Sequence, residues 1–214
     1  MVIRHTLMLA AVLLLASPAL AEQTEPDQNA IFRAYVNSAV YKKALENIFN
    51  TGEPAILKAT CPTMKVVASG RVTVLEQPKF VRTGANYNID AGAWVASAAL
   101  DRCGSQVTRR ALLKAIPGAN ELKPTFLLPG DFRGNLKLEA DAIQIVTPTM
   151  MALAKCKDRS KFQMLNITAL TPAAASGWSE TWSAAACDAK VDADVTYMAT
   201  GNGMNISAGN WKVH

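Results

Sequence analysis

Two tryptophan–cysteine pairs constrain this chain more than any other feature. Trp94 precedes Cys103 by nine residues, and Trp178 precedes Cys187 by nine. A valine follows each cysteine four positions later, Val107 and Val191, so three residue types coincide at an offset of 84. Each of these cysteines also has an earlier one, Cys61 and Cys156, placed after a stretch of helical periodicity. A chain that repeats such an order is expected to fold as two similar units.

The first helical stretch covers about residues 28–50. Ile31/Phe32, Tyr35/Val36, Ala39/Val40, Ala44/Leu45 and Ile48/Phe49 recur every four residues or so, which is one face of an amphipathic helix. Thr51-Gly52 supplies a stop. The second stretch, about residues 136–155, keeps the spacing through Leu138, Ala142, Ile145/Val146, Met150 and Leu153. Pro148 should kink or split it, because proline has no N–H to donate. Extended runs follow each earlier cysteine, KVVASGRVTVLE (65–76) and KFQMLNITAL (161–170). Then come the Trp strand, the later cysteine, a two-residue turn (Gly104-Ser105 or Asp188-Ala189) and a further strand. In the last strand Asp192 and Asp194 alternate with Val191, Ala193 and Val195, the period of a half-buried strand. The first half carries extra residues around 77–88, expected as a longer loop.

The expected fold is therefore α+β. Two units each combine a helix with a three-stranded antiparallel sheet and one disulfide, and the units fuse into one body. The boundaries read as 22–116 for the first unit, 117–135 for a Pro/Gly-rich linker and 136–214 for the second. Units this small are marginal alone. Their apolar faces, Phe32, Tyr35 and Phe49 included, are accordingly expected to meet in a shared core.

The start of the chain bears on where these units live. Arg4 precedes an apolar run from Leu7 to Ala16, followed by Pro18 and Ala19-Leu20-Ala21. That is the layout of a signal peptide, residues 1–21, cleaved after Ala21. The run is too short for a permanent span, so no transmembrane anchor is expected after cleavage. Glu22 follows rather than cysteine, which argues against a lipoprotein. The protein is expected in the periplasm or outside the cell. In such a compartment four cysteines read as two disulfides, and the repeat selects Cys61–Cys103 and Cys156–Cys187.

The helix, two-cysteine and W-x-E-x-W layout resembles a group of exported proteins of Gram-negative bacteria. Leu128-Pro129-Gly130 and Asp141-Ala142 belong to the same resemblance, which covers about residues 55–200. It implies export and the two-unit layout, and it implies no activity.

Composition removes several chemistries. The two histidines are His5, in the signal peptide, and His214, the last residue. Ser-His-Asp and Cys-His arrangements thus lack their base. Histidine metal sites are lacking too, and oxidised cysteines offer no thiolates, so no metal or cofactor is expected. There is no G-x-G-x-x-G and no P-loop. The formal charge is +5, and one of these charges leaves with Arg4. The basic residues are scattered apart from Arg109-Arg110 and Lys155/Lys157/Arg159/Lys161. Only Phe162 accompanies the second group, which is not the aromatic-interleaved patch of a nucleic-acid binder.

One face remains as a candidate binding site. Trp178, Glu180 and Trp182 lie two apart, so on a strand all three share a face. Either these tryptophans form core packed on a disulfide, or they form an exposed aromatic–carboxylate surface for a sugar, a peptide or a cation. The first half has Ala96 and Ala98 at the matching places. The function expected is that of a non-catalytic exported protein binding an unknown protein or cell-envelope partner. The alternatives are a proteinaceous inhibitor of an envelope-directed enzyme and a carboxylate-based glycan hydrolase. The hydrolase needs two facing carboxylates, for which Asp131, Glu139, Asp141 and Glu180 are candidates.

Overall fold

The computed structural model describes residues 27–53, 61–172 and 174–214; the expected signal peptide lies outside them. The fold is α+β. In the first half, helices α1 (Gln28–Val36) and α2 (Ala39–Gly52) precede strands β1 (Lys65–Thr83), β2 (Asn86–Arg102), β3 (Ser105–Ile116) and β4 (Glu121–Phe126). In the second, helix α3 (Leu136–Leu153) and a 3-10 turn precede β5 (Phe162–Ala169), β6 (Gly177–Ala186), β7 (Ala189–Thr200) and β8 (Gly203–Val213). Each half carries one antiparallel sheet, ordered β1-β2-β3-β4 and β5-β6-β7-β8.

The disulfides join Cys61 to Cys103 and Cys156 to Cys187, within the halves. Cys103 and Cys187 both have positive φ, 49° and 52°. Pairing runs Arg102 with Ser105 and Ala186 with Ala189. The two-residue turns are therefore Cys103-Gly104 and Cys187-Asp188, one residue earlier than expected. A left-handed residue at this place matches the twist of the flanking strands.

The sheets have four strands, not three. The fourth strand of the first sheet comes from the stretch read as linker, and Pro124 sits within it, as an edge strand tolerates. The fourth strand of the second sheet, β8, pairs with β7 out to Val213. The extra residues near 77–88 form no loop. They lengthen β1 and β2 into a hairpin that turns at Gly84. Gly92 is needed there: its φ is +115°, and a Cβ would meet Pro78 Cα at 2.6 Å.

The single first helix expected is broken at Asn37-Ser38. Ser38 caps α2, its side-chain oxygen accepting from the Tyr41 N–H at 3.1 Å. Both pieces still cover one face, which is why the periodicity ran through the break. Pro148 lies inside α3 without ending it.

Each half buries its own core. Tyr41, Leu45 and Phe49 of α2, four apart, are 0 or 1 % exposed and pack with Trp94, Ala96, Ala98 and Leu100 of β2. Phe32 meets Trp94 edge-on at 5.2 Å. In the second half Ala142, Val146 and Met150 of α3 pack with Trp182, Tyr197 and Phe132. The shared apolar core expected from the sequence is not formed. Phe32, Tyr35 and Phe49 belong to the first cluster alone. Helices already cover the inner face of each sheet, so neither core needs the other.

Candidate functional site

Strand alternation decides the W-x-E-x-W face. Glu180 and Trp182 point inward and are 0 % exposed, while Trp178 is half-buried at the strand's start. Trp178 stacks on Tyr197 with centroids 4.7 Å apart and 18° between the planes. The triad is thus core and its edge, and a surface ligand cannot stack on Trp182. Trp182 is core, as the first reading had it, but Trp178 does not pack on the disulfide. Trp178 lies nine residues up the strand from Cys187, about 30 Å of extended chain.

The buried carboxylate is well held. Glu180 Oε1 accepts from Trp178 Nε1 at 2.9 Å and from the Arg133 backbone N–H at 3.1 Å, and Oε2 accepts from Trp182 Nε1 at 3.2 Å. In the first half Trp94 Nε1 instead donates to the Tyr41 hydroxyl at 3.0 Å. Ala96 occupies the Glu180 place there, so a helix supplies the acceptor. Burial pushes the Glu180 carboxyl up from its ordinary 4.5, against the pull of Trp182, Trp178, the Arg133 N–H and the Arg133 charge. Burial and then the Glu180 and Glu139 carboxylates push the Tyr197 hydroxyl up as well.

A raised native pKa means the folded state keeps this proton longer than the unfolded chain. The contribution of Glu180 to stability is therefore full below pH 4.5 and is lost as pH rises through the native value. Glu180→Gln should flatten that fall. Urea midpoints between pH 4 and pH 8 for both proteins check it, and identical slopes would refute the assignment.

Glu180 reaches Arg133 because the chain between the sheets forms a strap. Leu127 N–H donates to Arg110 O at 3.1 Å and Gly130 N–H to Thr108 O at 3.0 Å, both on β3. Asp131 N–H then donates to Ile167 O on β5 at 2.9 Å. The Leu128-Pro129-Gly130 motif owes its glycine to this crossing. Gly130 has φ +89°, and a Cβ would stand 2.1 Å from Ile167 O. Gly130→Ala should cost about 1–3 kcal/mol, read as a lowered melting temperature with the disulfides intact.

The seam is also ionic. Arg109 and Arg110 are adjacent on β3 and so face opposite ways. Arg109 turns inward and is bidentate to Glu53, Nε–Oε2 3.0 Å and Nη2–Oε1 2.9 Å. Arg110 turns outward, toward the second half. Its Nη1 lies 3.0 Å from Glu139 Oε2 on α3, with side chains only 8 % and 4 % exposed, and its guanidinium lies 5.4 Å from the Phe132 ring centre. Glu139 Oε1 accepts from Leu128 N–H at 2.8 Å. Sequence reasoning missed this pair: two adjacent arginines look like solvated charge until their distant partners are known.

Of the four candidate carboxylates, Glu139 and Glu180 are buried on these structural partners. Asp141 pairs with Lys137 on the surface at 2.6 Å. Asp131 alone lines an open cleft. That cleft, about 680 Å³, lies between the outer face of β1–β3 and the strap. A second groove, about 870 Å³, lies between α1–α2 and the β1–β2 hairpin. Among the described residues no cluster of His, Cys, Asp and Glu has the makings of a metal site. No protein-family model, curated protein or solved structure matches this chain.

Proposed function

We propose that this is an exported, non-catalytic protein, periplasmic or secreted, whose first unit binds a protein or envelope partner. The groove beside α1 and α2 is the observation that carries this reading. Its walls are Ile31, Tyr35, Val40, Ile48, Phe80 and Tyr87, with Asn47, Asn86, Asn88 and Asn120 among them. Val40 is 72 % exposed and Tyr87 41 %. Apolar side chains flanked by amides suit a peptide segment, which brings both an apolar side chain and an unpaired backbone. Two disulfides support an oxidising compartment. No helix among the described residues is long and apolar enough to cross a membrane. The shared order of helix, cysteine and four-stranded meander supports two copies of one unit.

Affinity capture from periplasmic extract tests the reading. The native protein should retain a partner that Val40→Glu releases while leaving the melting temperature unchanged. Equal retention by both proteins, or retention of nothing, would count against it. The inhibitor alternative draws support from the hairpin at Gly84, which presents Val81 and Tyr87 at 44 % and 41 % exposure. Under that reading the captured partner is an enzyme, and a stoichiometric amount of this protein lowers its rate.

A further inference from the structure

We propose that the cleft at the seam is a binding site for a small oxyanion-bearing ligand, a carboxylate or a phosphate ester, held by Arg71, Arg110 and Arg133. It uses a different face from the groove beside α1 and α2 and does not depend on that groove having a partner. The three arginines come from three separate segments, β1, β3 and the strap, and line one cavity. Asp131 is the single carboxylate in the described lining. The charge there is therefore positive even though the neighbouring Glu139 neutralises part of Arg110.

Local structure places each cation. Pairing on β1 shifts register between Ser69 and Val72, so Gly70 and Arg71 form a bulge. A bulge re-aims its side chains, and Ser97 Oγ holds this one by donating to Arg71 O at 3.1 Å. Arg71 makes no ion pair among the described residues. Arg110 is fixed by Glu139 on one side and the Phe132 ring beneath, and Glu139 at Nη1 is its only side-chain polar contact among the described residues. Its other N–H donors have no hydrogen-bond partner among the described residues and keep the planar geometry that suits a carboxylate or phosphate. Arg133 lines the cleft and is anchored there by its backbone N–H, which donates to Glu180.

The floor explains the size and character of the ligand. Leu75, Val95 and Ala99 give it apolar surface, and the Thr73 and Thr108 side chains give hydroxyls. A volume near 680 Å³ is that of a small-molecule site. An anionic head against the arginines with a compact apolar body on the strands fits both parts.

The full disulfide-bonded protein is titrated with benzoate and with phenyl phosphate at constant low ionic strength. Benzyl alcohol is the uncharged control, and backbone amide shifts report the site. At least one anion should shift amides of β1–β3 and residues 130–136 in a saturable way, and benzyl alcohol should not. Which anion binds more tightly tells whether the head is a carboxylate or a phosphate. Arg71→Ser and Arg133→Gln each remove a charged hydrogen-bond donor, worth about tenfold or more in dissociation constant. Neither residue is buried in a core, so both variants should fold. Arg82→Ser, at the hairpin tip, should change nothing. The proposal is overturned if neither anion shifts those amides, or if Arg82→Ser weakens binding as much as the cleft variants do.

Discussion

Glu139→Ala should lower stability by about 3–5 kcal/mol, the cost of leaving a buried cation without its counter-ion. Arg110 would stay 8 % exposed, fixed by the strand and by Phe132, with no carboxylate to balance it. The Leu128 N–H would lose its acceptor in the same step. For a domain of this size the melting temperature should fall by roughly 6–20 °C. The double variant Arg110→Met/Glu139→Leu should recover most of the loss, since replacing a whole buried pair by apolar groups is often neutral. Thermal melts of the three proteins check this. A Glu139→Ala loss below about 1 kcal/mol would mark the pair as an ordinary surface contact.

Reducing both disulfides should have a larger total effect. The bridges span 42 and 31 residues, and loop-closure entropy assigns about 4 kcal/mol to each. Domains are stable by about 5–15 kcal/mol in all, so the reduced chain should be largely unfolded near body temperature. Each bridge pins a helix-bearing segment to a strand hairpin whose cysteine has positive φ. Without the bridge that cysteine keeps the backbone strain and loses the constraint. Circular dichroism with and without reductant measures the outcome. Far-ultraviolet signal and melting temperature that stay the same on reduction would show that the two cores suffice alone.

The cysteine pairing was legible because the sequence says it twice: one Trp–Cys–Val spacing at an offset of 84 leaves a single pairing that keeps both units alike. The strand faces were legible too, since Asp192 and Asp194 alternate with Val191, Ala193 and Val195, and the buried pattern of β7 follows. The fourth strands were not. Glu121–Phe126 contains a proline, and Gly203–Val213 contains two glycines, because edge strands tolerate what inner strands reject. The break at Asn37-Ser38 escaped for a related reason: two helices on one face give the same period as one. For the candidate site, the shared face of Trp178, Glu180 and Trp182 was readable, but its burial was not. That depends on Phe132 and Arg133 of the strap, which no local pattern connects to β6. The seam and its cleft depend in the same way on Arg110 finding Glu139.

Two separate apolar cores would ordinarily melt as two units. The strap, bonded to both β3 and β5, and the buried Arg110–Glu139 pair should instead couple them into one. Scanning calorimetry of the oxidised chain measures this directly. A single transition whose calorimetric enthalpy equals its van't Hoff enthalpy is predicted. Two resolved transitions, or a calorimetric enthalpy about twice the van't Hoff value, would contradict it.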